Sequence, residues 1–337
     1  MTKLRALLAA AAALSAVETA PAAYVPRLFA NHGPNGVEVT FRQTAADDST
    51  ASLGVYVPSQ YASTHASSAP GTGIGRVSAR VQVRALGGVE LTLDGTIVAD
   101  NPLNHASNTC SPGLHQAVWI ASLSVPGQSQ AIRIPVYVDA TAGTEAALGA
   151  VRLLACLPSP EVPEAQGGAP LGTKLLEARF TLERIFTPPT AGALGWIGRF
   201  VPYLAGTSTP NVAAGVESRA LVRLPRRLSL RSAPVRRAGR RVVALRGIVA
   251  EAGRGVSGAV VQITGGGRTR TASTFSHGGY LLFVPLPRAT SFRASVTVPD
   301  RDVTATVCPP CASASAAGFR ASSRPLRVSP PRAPRKR

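Results

Sequence analysis

Short apolar segments alternate with glycine clusters from residue 241 to residue 299. Segments 242–250, 259–264, 268–274, 280–285 and 291–298 are rich in Val, Ile, Thr and aromatic residues, which predicts strands. Between them stand Gly253-Arg254-Gly255, Gly265-Gly266-Gly267 and Ser276-His277-Gly278-Gly279. Glycine accepts the positive φ of tight turns, so these clusters predict hairpin connections. Together they predict an antiparallel β-sandwich.

The first two-thirds of the chain carries the same two-residue period. Val77, Ala79, Val81, Val83 and Ala85 alternate with polar neighbours, and Val89, Leu91 and Leu93 resume the alternation after Gly87-Gly88. Asp94-Gly95 reads as a two-residue hairpin turn leading into a strand at 96–99. Further strands are expected at 37–42, 52–57, 118–125, 131–138, 150–157, 174–186 and 218–224, with a Pro/Gly-rich loop at 158–171. Only 143–149 has the pattern of a short helix. About nine strands without a long helix argue for a sandwich rather than an α/β enzyme. The expected fold class is all-β, with two antiparallel β-sandwich (Ig-like/transthyretin-like) domains at 23–225 and 226–320.

The second of these domains resembles a known family. Gly247-Ile248-Val249, then Gly255-Val256-Ser257-Gly258-Ala259-Val260-Val261, then Thr271 and Gly279-Tyr280-Leu281-Leu282-Phe283 follow the pattern of the carboxypeptidase regulatory-like domain. The family's aspartate before the turn glycine is replaced here by His277-Gly278. The resemblance covers about a fifth of the chain. It implies a transthyretin-like, carbohydrate-binding-like accessory sandwich without catalysis, and it brings no site residues.

The amino end has the form of an export signal. Lys3 and Arg5 precede an uncharged apolar run at 6–17 that is short for a membrane span, and Ala20-Pro21-Ala22 fits a small-x-small cleavage site. Residues 1–22 are therefore expected to be a signal peptide, no transmembrane segment is expected, and the protein is expected in the secreted or cell-envelope space. Charge then divides the chain sharply. Residues 1–225 hold 15 Lys and Arg against 14 Asp and Glu, a net of +1; residues 226–337 hold 21 against 3, a net of +18. Arg226, Arg227, Arg231, Arg236, Arg237, Arg240 and Arg241 crowd the entry to the second domain. Arg332, Arg335, Lys336 and Arg337 end the chain, in a basic tail at 321–337 expected to be disordered. So positive a stretch attracts polyanions. Outside the cytoplasm these are acidic envelope polymers or glycans rather than nucleic acid.

Four cysteines in an exported chain point to disulfides. Of the three connectivities, Cys110–Cys156 with Cys308–Cys311 keeps each bridge inside one domain, while an interchain bridge at Cys308 or Cys311 stays open. Cys110-Ser-Pro-Gly-Leu-His115 also resembles the ligand loop of blue-copper proteins, a remote alternative that needs Cys110 unpaired and lacks the axial methionine. His105 and His115 otherwise read as surface histidines beside a disulfide loop. Gly255 to Ala259 lacks the final glycine and the following helix of a nucleophile elbow. Asp47-Asp48 and Asp300-Arg301-Asp302 read as solvated turns, with calcium as an alternative. No nucleophile, base and acid stand at recognisable spacing, so no enzyme, cofactor or metal is expected. The expectation is a structural or binding protein of the envelope, with a carbohydrate-binding module as the alternative. Trp119 and Trp196 sit in apolar contexts that favour the core over a sugar platform.

Overall fold

The computed structural model describes residues 24–33, 36–127, 131–304 and 313–330. The expected signal peptide, Cys308 with Cys311, and the last four basic residues lie outside the described residues. Thirteen strands precede Pro225 among the described residues: β1 (Arg27–Gly33), β2 (Gly36–Arg42), β3 (Thr50–Val57), β4 (Ala62–Ser63), β5 (Gly73–Val83), β6 (Val89–Asp100), β7 (Ala117–Ser124), β8 (Ile132–Ala140), β9 (Val151–Cys156), β10 (Thr173–Leu182), β11 (Phe186–Thr187), β12 (Gly192–Pro202) and β13 (Val216–Leu224). The region expected to be helical forms only a 3-10 turn, Gly143–Ala147.

Apart from the small β4–β11 pair, these strands form one antiparallel run in the order β1-β2-β10-β5-β6-β7-β8-β9-β3-β12-β13. The run curls back on itself until Leu28 N in β1 donates to Ser218 Oγ in β13 at 3.0 Å. Two layers thereby face one another across a single core, a sandwich-like arrangement. Alternation explains it: in β5, Ile74, Val77, Ala79, Val81 and Val83 turn inward, and the polar residues between them do not. Both tryptophans are buried here, Trp196 edge-on to Tyr61 at 5.2 Å and to Phe186 at 6.4 Å. Asp94-Gly95 is not a turn. It lies inside the continuous strand β6, where β7 passes so close that any Cβ at Gly95 would strike the Ser122 carbonyl.

The remaining strands are β14 (Arg226–Leu228), β15 (Arg231–Arg237), β16 (Arg240–Glu251), β17 (Arg254–Gly255), β18 (Val260–Gly265), β19 (Arg268–Ser273), β20 (Gly279–Val284), β21 (Thr290–Val298), β22 (Arg301–Thr304), β23 (Ser313–Ala316), β24 (Phe319–Ser322) and β25 (Leu326–Val328). One sheet holds β14, β15, β17 and β20 around the long β16; the other runs β19-β18-β21 with β24 and β25 both on the far side of β21. Val243, Leu245, Val261, Ile263, Tyr280 and Phe292 fill the second core between them. The turns are two residues long with both φ positive: Ala238-Gly239 joins β15 to β16, Ala252-Gly253 joins β16 to β17, and Gly266-Gly267 joins β18 to β19. Such turns match the twist of the strands they connect.

One expected boundary changes. The basic tail was placed at 321–337, yet β24 and β25 carry the second core to Val328. The Ser323-Arg324-Pro325 break between these short strands hid their alternation, and Ser323 fills it by bonding Ala294 through both backbone and side chain. The two units also share a sheet beyond residue 225. Hairpin β22–β23 leaves the second core and joins the first sheet beside β13, with Ser315 in parallel register to Ala220. A small apolar cluster of Leu221, Ala314, Ala193 and Val303 fixes the junction.

Candidate polyanion-binding surface

The arginines that crowd residues 226–241 separate into two groups with different jobs. Arg226 is not available to a ligand. Its side chain is only 12% exposed; it donates through Nε to Glu251 at 3.1 Å and through Nη1 to Asn31, and its guanidinium lies 4.7 Å from the Phe319 ring centroid. Arg301 reaches the other oxygen of Glu251. Burial and the nearby Arg301 charge pull the Arg226 pKa down while Glu251 pulls it up. These groups clasp the junction between the two cores, as do Arg27 with Asp302 and Arg42 with Asp300. The Asp300 and Asp302 carboxylates, expected in a solvated turn, remain exposed and also ion-pair to the first sheet.

Arg231, Arg236, Arg237 and Arg240 are exposed, and antiparallel pairing brings them together on hairpin β15–β16. Arg231 stands opposite Arg246, Arg236 opposite Arg241, and Arg237 opposite Arg240. Three like-charged cross-strand pairs thus occupy seven residues of ladder. Arg237 rests on the Phe283 ring at 4.6 Å, which holds one guanidinium against the sheet. Arg227 is exposed nearby on β14. Arg236 also reaches the mouth of an open groove of about 510 Å³ between the rims of the two sheets, lined across from it by Arg327 and Pro330. Arg246 and Arg327 were not among the sequence candidates. Strand period could have found Arg246, because it shares the outward phase of β16 with Ile248.

The loop with the suggestive Cys–His spacing is structural. Cys110 is bonded to Cys156, with Cα atoms 6.1 Å apart, so the bridge expected from the even cysteine count is formed. The bridge leaves Cys110 no thiolate for copper, and the remote copper reading of this loop falls. His115 is no surface histidine: its side chain is 4% exposed, Nδ1 faces Asp139 Oδ2 at 2.9 Å, Nε2 faces the Ser111 carbonyl at 2.8 Å, and its ring packs 4.6 Å from Tyr137. His105 sits behind the same tyrosine and contacts Asp100 at 3.0 Å. That contact, first among several, holds the Asp100 carboxyl below its ordinary value. Asp47, expected in a solvated turn, is buried and accepts from Val25 N at 2.9 Å and from Thr44 N and Oγ1. Among the described residues no three His, Cys, Asp or Glu side chains come together as metal ligands do.

Ser63, His65 and Gln116 form a chain that the sequence did not suggest. Ala140 N donates to Gln116 Oε1, which fixes the amide, and His65 Nε2 lies 2.9 Å from the same oxygen. His65 Nδ1 then faces Ser63 Oγ at 2.7 Å. The hydroxyl is polarised by this contact, but Ser63 lies on open surface in the two-residue strand β4, where no described cleft excludes water from a reacting carbonyl.

Comparison with known proteins adds little. No family model matches the chain, and no curated protein matches it. A solved structure described as "Ca2+-stabilized adhesin helps an Antarctic bacterium reach out and bind ice" aligns over 90% of this chain and 98% of that one, at 10% identity and a TM-score of 0.20. At that score neither fold nor function carries over.

Proposed function

We propose that this protein is an exported, non-catalytic β-sandwich protein that holds acidic polymers of the cell envelope through its second, arginine-rich unit. In this reading the second core belongs to a transthyretin-like sandwich of the carboxypeptidase regulatory-like type, and the first to an Ig-like sandwich. The carrying observation is the ladder of Arg231 against Arg246 and Arg237 against Arg240. Like charges directly opposite on a strand pair destabilise it. A bound polyanion relieves that repulsion, so ligand and hairpin stabilise one another.

The test is cosedimentation with purified cell walls over a salt series. Exposed charges are screened over about 8–10 Å at physiological salt, so retention should fall steeply as salt rises. The variant Arg231→Gln/Arg237→Gln/Arg240→Gln/Arg246→Gln should be retained much less than the parent at low salt. Retention that ignores both salt and the four substitutions would overturn the proposal.

A further inference from the structure

The outer face of the other sheet is rich in hydroxyl side chains and arginine. On β18, Val261, Ile263 and Gly265 point into the core, which turns Val260, Gln262 and Thr264 outward. Register then lays out rows across the sheet. Thr269, Thr264 and Arg293 form one row, and Thr271, Gln262, Ser295 and Ser322 form the next. Arg320 stands opposite Thr297, and Arg327 opposite Ser291. The face therefore presents hydroxyls, one carboxamide and Val260, flanked along one side by Arg327, Arg293 and Arg320. After residue 225 the only carboxylates are Glu251, Asp300 and Asp302, so none of these five strands carries one. Among the described residues no ion pair engages these three arginines.

Spacing and a single aromatic complete the surface. From the level of Ser291 to that of Thr297 is six residues of β21, about 20 Å, and β19 to β24 spans about 14 Å at the usual strand separation. Beyond the end of β19, in the connection to β20, Phe275 is 53% exposed, with its backbone N–H donating to Gly279 and its ring stacked on His277 at 5.8 Å and 23°. A solvated sheet face has no need of an exposed phenylalanine, which offers an apolar platform for the C–H face of a sugar ring.

We propose that this face binds an acidic polysaccharide lying along β21. The carboxylates or sulfates of the polymer meet Arg327, Arg293 and Arg320, its hydroxyls meet the Thr, Ser and Gln rows, and a sugar ring stacks on Phe275. Charge complementarity argues for an anionic occupant, and the hydroxyl rows with the aromatic argue for a sugar rather than a phosphate chain. The inference rests on the polyanion reading above and assigns to it a ligand class and a second surface.

The experiment titrates the full chain with polygalacturonate, with inorganic polyphosphate and with neutral dextran. Arg293→Gln/Arg320→Gln/Arg327→Gln should weaken polygalacturonate binding about tenfold while the melting curve stays that of the parent. Phe275→Ala should weaken polygalacturonate about threefold and leave polyphosphate unchanged. Dextran should not bind. Unaltered polygalacturonate affinity in the triple variant would overturn the face as the site, while loss of affinity in the β15–β16 variant would leave the broader polyanion reading standing. If Phe275→Ala alters neither polymer, or polyphosphate binds as tightly as polygalacturonate, recognition of a sugar is overturned. If no polyanion binds the parent protein, both readings fail together.

Discussion

Glu251 is 5% exposed and takes hydrogen bonds from Arg226 on one oxygen and Arg301 on the other, so a single carboxylate bridges two guanidiniums at the junction of the cores. Removing one member of a buried ion pair leaves its partners uncompensated. Glu251→Gln keeps the shape and removes the charge. It should cost about 3 kcal/mol in chemical denaturation. A loss below about 1 kcal/mol would mean that water already reaches the two arginines.

The same junction carries a pH response. Burial, aided by the Arg226 charge, holds His32 below its ordinary value of 6.5, and its Nδ1 is buried without a partner. Arg76, Glu183 and Arg184 line the same recess. The unfolded chain therefore takes up a proton before the folded one does. Stability is full above pH 6.5 and falls as the solution is acidified through the window below it. Melting temperatures measured from pH 7.5 to pH 5 should drop less in His32→Asn than in the parent. Parallel curves would show that other groups govern the acid limb.

Cys110–Cys156 closes a separation of 46 residues. Cys110→Ser/Cys156→Ser should lower the stability of the first core by about 2–4 kcal/mol. Copper(II) added to the oxidised parent should give no intense visible band. An unshifted denaturation midpoint in the double variant would deny the bridge a stabilising role.

Both tryptophans lie in the first core, so their fluorescence reports on that core alone. A chain ending at Arg320 loses Leu326 and Val328 from the second core, and should lose about 3 kcal/mol there. A chain ending at Pro330 keeps every described strand and sheds four cations, Arg332, Arg335, Lys336 and Arg337. Far-UV circular dichroism should show the early melting of the shorter chain, ahead of the fluorescence change. Coincident transitions in that chain would show the two cores to be one cooperative unit.

Strands with an inward apolar alternation were plain in the sequence. Segments 291–298 and 242–250 differ by three residues or fewer at either end from Thr290–Val298 and Arg240–Glu251. Strands such as β15 were missed because Arg231–Arg237 has no apolar alternation and contains a proline; it is a strand only because β16 offers it a ladder. Asp94-Gly95 misled for the opposite reason. A local turn signal was overridden by close contact with β7, which no local pattern records. The arginine surplus was visible by counting. Its division into a buried clasp at Arg226 and an exposed ladder at Arg231 to Arg246 depends on which residues meet Glu251 and Asn31, partners 25 and 195 positions away.

Strand β15 forms a rim of its sheet, and Pro234 sits among its arginines. An open rim with free N–H and C=O groups invites a second molecule to extend the sheet, and proline with cations prevents it. The charges that suit an acidic polymer are thus also the colloidal protection of the protein. Polymer that neutralises them removes that protection. Near charge balance a clear solution should turn cloudy as copies condense on the polymer, and with polymer in excess it should clear again.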